Sequence, residues 1–236
     1  IYYYPLLFNY ISAIGLRCLS GILRVFGVFR GPGLFPFTFE DVLLAGRLLS
    51  ALLGSLTIIL VYGIGRRLYS AKEGVLASFF FSVSFIHILY SHQIVLDVPM
   101  TFFYALALYF CVPLLKGRSW KEYALAGFAS GLAMATKYNG VFVLFSLWLA
   151  HFFGMPPVRK KIVKAFLDAK LFLAGLAAVL GFFSAHPYAI LHFRRFIHAS
   201  TVLAGVVHET EYYLKPIQPK TAVDIVLNNK YFLALK

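Results

Sequence analysis

Asp97 is the residue in this sequence best placed to do chemistry. It is the one carboxylate in an apolar stretch that carries no formal charge from Gly74 to Leu96 and again from Val98 to Leu115. Apolar runs of about 20 residues read as membrane-spanning helices. An ionisable group at the centre of such a run costs roughly 2.5–3.5 kcal/mol even on the lenient insertion scale, so its presence implies a use. Two uses are open. Asp97 could cap the helix that follows, with Pro99 in its first turn, accepting a backbone N–H that lipid cannot satisfy. Alternatively its charge acts on a substrate or a cation. Lys137 is the natural counterpart, an isolated cation in Lys137-Tyr138-Asn139-Gly140, where neighbouring donors could surround an anion such as a phosphate. A lysine that ends a short helix and snorkels to the interface explains the same position. Arg47, about two turns into an apolar helix starting near Glu40, should be paired with Asp97 or a lipid phosphate.

The surrounding composition fixes the solvent. Of 236 residues, 61% are hydrophobic, 18% aromatic and 13% charged, with mean hydropathy +0.80, which excludes a water-soluble globule. The formal charge of +13 falls in short clusters between apolar runs and makes no continuous stripe, so no nucleic-acid partner is expected. Cys18 and Cys111 have neither metal nor disulfide-framework spacing.

Loop charge then orients the chain. Arg66, Arg67 and Lys72 form one basic cluster, and Lys116, Arg118 and Lys121 a second. Arg159, Lys160, Lys161, Lys164 and Lys170 form the third. The positive-inside rule puts all three in the cytoplasm. Spans are expected over Val42 to Gly65, Gly74 to Ser91, Val98 to Leu115, two short ones flanking the Lys137 turn, and Leu171 to Ala185. Asp97, Lys137 and the His186-Pro187-Tyr188 turn then share the extracytoplasmic side, with Arg47 bordering the same cavity. The expected architecture is an all-α polytopic membrane helix bundle forming one domain fragment over 1–236. Its parts are outer interfacial helices and loop (1–40), five to six spans (41–185), an outer loop (186–220) and the start of a further segment (221–236). Gly127, Gly131 and Ala135 mark close helix packing.

The remaining polar groups carry weaker signals. His92, His186, His192, His198 and His208 are expected on the outer side with Asp97, Glu209 and Glu211. A divalent metal could use some of them, but no compact ligand motif is present and interfacial anchoring explains them as well. Arg194 and Arg195 suit anionic headgroups.

Several motifs, in order along the chain, carry a family resemblance. They are Tyr4-Pro5-Leu6-Leu7, the run from Gly46-Arg47-Leu48 to Gly54, and Gly65-Arg66-Arg67-Leu68-Tyr69. Asp97-Val98-Pro99-Met100, Gly131-Leu132-Ala133-Met134-Ala135-Thr136-Lys137-Tyr138-Asn139-Gly140 and His186-Pro187-Tyr188 follow. Together they resemble the protein-mannosyltransferase-like glycosyltransferases of the GT-C membrane superfamily. The resemblance implies transfer of a sugar from a polyprenyl-phosphate lipid to a protein, lipid or polysaccharide acceptor at the extracytoplasmic face. In that family the acidic residue taken as base sits in the first outer loop, a position expected to lie before Ile1. Asp97 then stands at the second acidic position. Lys137, Arg47 and Tyr138 become the donor-phosphate ligands, and His186, Tyr188 and His92 line the substrate cavity. The expected setting is a prokaryotic cell membrane in preference to the endoplasmic reticulum, with membrane lipids as further partners. A lipid-sugar transporter or flippase, or a non-catalytic scaffold, are the competing classes. A transporter would be expected to show inverted repeats, and the sequence shows none.

Overall fold

The computed structural model describes residues 39–116, 119–155 and 168–186. The expectations for 1–38 and for the third basic cluster at Arg159 to Lys164 lie outside the described residues. So do those for the loop beyond His186, with Tyr188, His192, Arg194, Arg195, His198, His208, Glu209 and Glu211, and for 221–236. Every regular element described is helical. Helix α1 spans Phe39–Leu68, α2 Ala71–Ser82 and α3 Phe85–Ser91, and α4 runs over Asp97–Cys111 into a 3-10 turn at Val112–Leu115. Helix α5 covers Trp120–Thr136, a second 3-10 turn Tyr138–Phe142, α6 Val143–Phe153 and α7 Ala169–Ala185. Two stretches, Gly46–Leu68 and Asp97–Leu115, are long and apolar enough to cross a membrane. The bent pair α2–α3 makes a third if it counts as one span. Tyr138–Phe153 and Ala169–Ala185 are apolar but shorter, so five to six spans would require these to cross as well.

Small residues set the helix contacts. A Cβ on Gly65 would lie 2.8 Å from the Cα of Gly74, so α1 and α2 touch backbone to backbone where the chain reverses. Further along α1, Gly54 packs on Ser91 and Gly46 on Ile94. The first two contacts lay the α2–α3 pair antiparallel along α1 from Gly65 to Gly54, about 16 Å of helix, and the segment after α3 carries on to Gly46 through Ile94. The chain from Gly74 to Ile94 therefore climbs along α1 and does not turn back to the side it left. It is not the single straight span expected from Gly74 to Ser91, because α2 and α3 are bent by 63°. The break has a local cause. Ser82 donates its hydroxyl to the Phe79 carbonyl at 2.7 Å and Ser78 donates to Val75 at 2.9 Å, so hydroxyls compete for carbonyls in the last turns before Val83 and Ser84.

The expected packing role of Gly127 and Gly131 is observed. Gly127 meets the Ala174 carbonyl and Gly131 the Ala178 carbonyl, so α5 and α7 run parallel with their backbones in contact. Three buried clusters follow one another along the bundle. Cys111, Leu114, Tyr123, Leu147 and Ala174 fill one end; Ala107, Ala129 and Val143 fill the middle; Phe103, Ala133, Ala135, Phe182 and Ala185 fill the other end. Outward faces carry Leu44, Leu48, Leu52 and Ile59 on α1, Phe79 and Phe80 on α2, and Phe172, Leu176, Val179 and Leu180 on α7, all exposed. Burying alanines inside and exposing phenylalanines outside is the arrangement lipid favours, where close packing and not water exclusion holds helices together. The protein is an all-α membrane helix bundle.

Candidate functional site

Helix directions decide which polar groups can meet. Helix α4 begins at Asp97 and descends to Cys111, α5 returns from Trp120 to Thr136, and α7 ascends beside α5. Asp97, Lys137 and His186 therefore occupy one end, while Arg66, Arg67, Lys72, Lys116 and Lys121 occupy the other.

At the first end, the Lys137 ammonium donates to Oδ1 of Asp97 at 2.7 Å, a salt bridge across 40 residues of sequence. The side chains are 32% and 40% exposed, so the pair lies at the rim with room for a further partner. Its placement is determined locally on both sides. Lys137 is the extended residue that ends α5, at φ −153° and ψ 132°. Its N–H donates to Ala133 at 3.1 Å, and its carbonyl accepts from Gly140 at 2.8 Å. Gly140 in turn sits against the Ala133 backbone, where a Cβ would not fit, so the reversal after Lys137 requires glycine. Asp97 is held through its first turn, where Thr101 donates its hydroxyl to the Asp97 carbonyl at 2.7 Å. That threonine, one turn on from Asp97, had no assigned role in the sequence reading.

The capping explanation of Asp97 is overturned. The residue at the cap position is Leu96, in the helical region at φ −71° and ψ −13°, with no side-chain cap bond. Asp97 is already inside the helix and its carboxylate faces Lys137. A negative charge in the first turn still interacts favourably with the helix dipole. Of the two partners expected for Arg47, Asp97 or a lipid phosphate, Asp97 is taken by Lys137. Gly46 packs on Ile94, which brings Arg47 to the same end as Asp97, but Arg47 is exposed and makes no ion pair among the described residues. The apolar span begins at Gly46, so Arg47 sits at its mouth and can stay hydrated.

The other expected site residues divide. Tyr138 packs its ring on the Phe103, Ala133 and Phe182 cluster. Its hydroxyl is buried without a hydrogen-bond partner among the described residues. An unpaired buried donor next to Lys137 is costly unless a ligand or water completes it. His186 is buried and stacks flat on Phe182 with ring centroids 5.7 Å apart. Burial holds its imidazole below the usual histidine range, so the neutral ring is favoured. His92 is exposed, with Nδ1 2.8 Å from the Ile88 carbonyl, and makes no contact with Asp97. Tyr188 lies outside the described residues. No group of three metal-ligating side chains converges among the described residues.

One buried polar contact had no sequence signal. The Tyr123 hydroxyl and His151 Nδ1 lie 2.6 Å apart, both residues fully buried, tying α5 to α6 at the basic end. The partners are 28 residues apart, and neither has a motif around it.

Comparison with known proteins identifies the family. Residues 34–188, well over half of the chain, match the family described as Dolichyl-phosphate-mannose-protein mannosyltransferase. The chain is 31% identical over 189 residues to "Dolichyl-phosphate-mannose--protein mannosyltransferase 1" of Saccharomyces cerevisiae, an alignment covering 73% of this chain and 23% of that protein. It is 38% identical over 99 residues to an uncharacterized protein of Aquifex aeolicus, covering 42% of this chain and 20% of the relative. The chain thus spans about a quarter or less of the relatives it matches. No solved structure matches it significantly. With the ordered motifs and the matched segment running from before α1 to just past His186, the chain belongs to the dolichyl-phosphate-mannose-protein mannosyltransferase family.

Proposed function

We propose that this chain forms the part of a membrane glycosyltransferase that holds the phosphate of a polyprenyl-phosphate sugar donor, at the face of the bilayer opposite the basic clusters. The observation that carries the reading is the Lys137–Asp97 pair, a cation and a carboxylate brought to one rim by separate hairpins. In such a transfer the acceptor hydroxyl oxygen bonds to the anomeric carbon as the bond from that carbon to the phosphate oxygen breaks. The hydroxyl proton passes to a base, and the polyprenyl phosphate leaves with one more negative charge than it carried as the diester. Lys137 would meet that developing charge, a preorganised cation being most effective where water is scarce. Asp97 is then a positioning residue. Its Oδ1 is committed to the ammonium, and it holds Lys137 in place between turnovers. The Tyr138 hydroxyl, buried beside Lys137 and unpaired among the described residues, would supply a second donor. Arg47, exposed where the apolar stretch of α1 begins and without an ion pair among the described residues, suits the outlying charge of the donor headgroup. The base falls to another acidic residue, as the family resemblance implies. Mannose as the sugar and a protein as the acceptor are the choices that the description of the matched family and the name of the yeast relative support.

A flippase for lipid-linked sugars would also use a discontinuous helix, and α2–α3 is one. The break at Val83–Ser84, however, has His87 as its nearest ionisable group in sequence, and the Lys137–Asp97 ion pair lies elsewhere. The enzyme reading accounts for the charges and the flippase reading only for the bend.

Asp97→Asn separates positioning from mere packing. In proteoliposomes carrying labelled polyprenyl-phosphate mannose and an acceptor peptide, transfer by the full-length protein is expected to fall at least about tenfold, equivalent to about 1.4 kcal/mol. Thermal stability should change by less than about 1 kcal/mol, as for other half-exposed pairs. Unaltered transfer by a folded Asn variant would remove Asp97 from the site.

A further inference from the structure

The basic end holds a second convergence of charge that sugar transfer does not use. Arg67, in the last turn of α1, lays its guanidinium 3.6 Å from the centroid of the Tyr109 ring and donates Nη1–H to the Tyr109 carbonyl at 3.1 Å. Lys116, just past the turn that ends α4, donates its ammonium to the Arg67 carbonyl at 3.4 Å. Two cations 49 residues apart in sequence are therefore fixed at one point by partners that carry no charge. A guanidinium has five N–H donors and an ammonium three, and one bond of each is used here. The acid nearest in effect, Glu122, is turned to the Ser119 hydroxyl and attracts Arg67 only through space. Glu73 is likewise taken by Ser70. Among the described residues no carboxylate makes an ion pair with either cation, so two like charges held together leave free energy that a contacting anion would recover.

The surroundings say which anion. Leu68 and Leu115, the neighbours of Arg67 and Lys116, are exposed at 38% and 39%, and Tyr69 at 78%. Trp120 is also exposed, and exposed Tyr and Trp beside apolar helix ends suit the headgroup depth of a bilayer. A ligand that satisfies both parts needs a phosphate and acyl chains. We propose that Arg67 and Lys116, seated on Tyr109, form a binding site for the phosphate of an anionic phospholipid in the leaflet at the basic end. The planar guanidinium offers a phosphate two parallel donors, and the ammonium adds a third from the neighbouring element.

The test uses the full-length protein in bilayers of phosphatidylcholine with spin-labelled phosphatidylglycerol or spin-labelled phosphatidylcholine as probe. The ratio of their association constants is expected to favour the anionic lipid about fivefold and to fall below about twofold in R67Q/K116Q. R66Q/K72Q removes the same charge from the same end and should keep most of the preference. Equal losses in the two double variants would mean a diffuse basic field and overturn the proposal, as would full preference in R67Q/K116Q. Inorganic phosphate should not displace the labelled lipid; displacement would make the ligand a free phosphate instead. If R67Q/K116Q does not fold, K116Q alone should show an intermediate loss, and an unchanged ratio in that variant refutes the site.

Discussion

The two ends of the bundle start their helices in opposite ways. At the basic end α2, α5 and α7 each begin on a side-chain cap. Ser70 accepts from Lys72 N–H at 3.2 Å, Ser119 from Lys121 N–H at 3.3 Å, and Asp168 from Lys170 N–H at 2.9 Å. Two of these share the pattern Ser-x-Lys-Glu, Ser70-Ala71-Lys72-Glu73 and Ser119-Trp120-Lys121-Glu122, with the glutamate returning to the serine as a capping box does. At the opposite end α4 and α6 begin on Leu96 and Phe142, neither with a side-chain cap. Polar side chains are present there, but Asp97 is spent on Lys137. One end uses its polar groups to terminate helices, and the other keeps them for each other and for a ligand. A carboxylate at a helix start is therefore informative when it does not cap.

The largest effect is expected where the contrast depends on packing. Gly131 sits against the Ala178 backbone, so Gly131→Leu cannot be accommodated by a rotamer change and must part α5 from α7. Overpacking of this kind costs about 3 kcal/mol. We expect a large drop in thermal stability, with transfer lost as Lys137 shifts. A stable, active Leu variant would mean that the α5–α7 contact does not position the site. Next comes Lys137→Gln, which leaves α5 and its turn intact while removing the cation. Transfer should fall roughly a hundredfold, about 2.7 kcal/mol, with Lys137→Arg recovering part of it. A loss of stability as large as the loss of transfer would assign Lys137 to structure and erase the difference between the ends.

Much of this was readable from the sequence, and the limits are physical. Charge clusters placed Asp97, Lys137 and His186 together because long apolar helices leave few choices for where a chain can turn. The small-residue series marked a closely packed face of α5, because only Gly and Ala admit backbone approach, but it did not name α7 as the partner. The bend between α2 and α3 was not legible, since it turns on serine hydroxyls choosing carbonyls that an unbroken helix would also offer. The role of the Asp97 carboxylate could not be chosen either. Capping is a local property, whereas Lys137 arrives from 40 residues away. The Tyr123–His151 contact was hidden for the same reason.

A smaller effect tests the basic end alone. Ser119→Ala removes the acceptor for the Lys121 N–H and frees Glu122, and loss of such a cap costs about 1 kcal/mol. Stability should fall by that amount, read from thermal unfolding, while the transfer rate per folded molecule stays within about twofold. A specific loss of transfer would show that the capped end also serves the chemistry.

The smallest expected effect is the most discriminating for the uncapped end. If α4 simply lacked a cap by accident of sequence, Leu96→Ser would supply one and stabilise the protein by about 1 kcal/mol. The backbone argues otherwise, because a cap residue adopts extended angles while Leu96 lies at φ −71° and ψ −13°. From there a serine hydroxyl is poorly aimed at the first free N–H groups. The substitution should therefore change stability by no more than about 0.5 kcal/mol, the ordinary range for a site without a special role. A gain of a full cap's worth would show that the start of α4 can relax into a capped form. Asp97 would then owe its place beside Lys137 to a missing serine and not to the geometry of the turn.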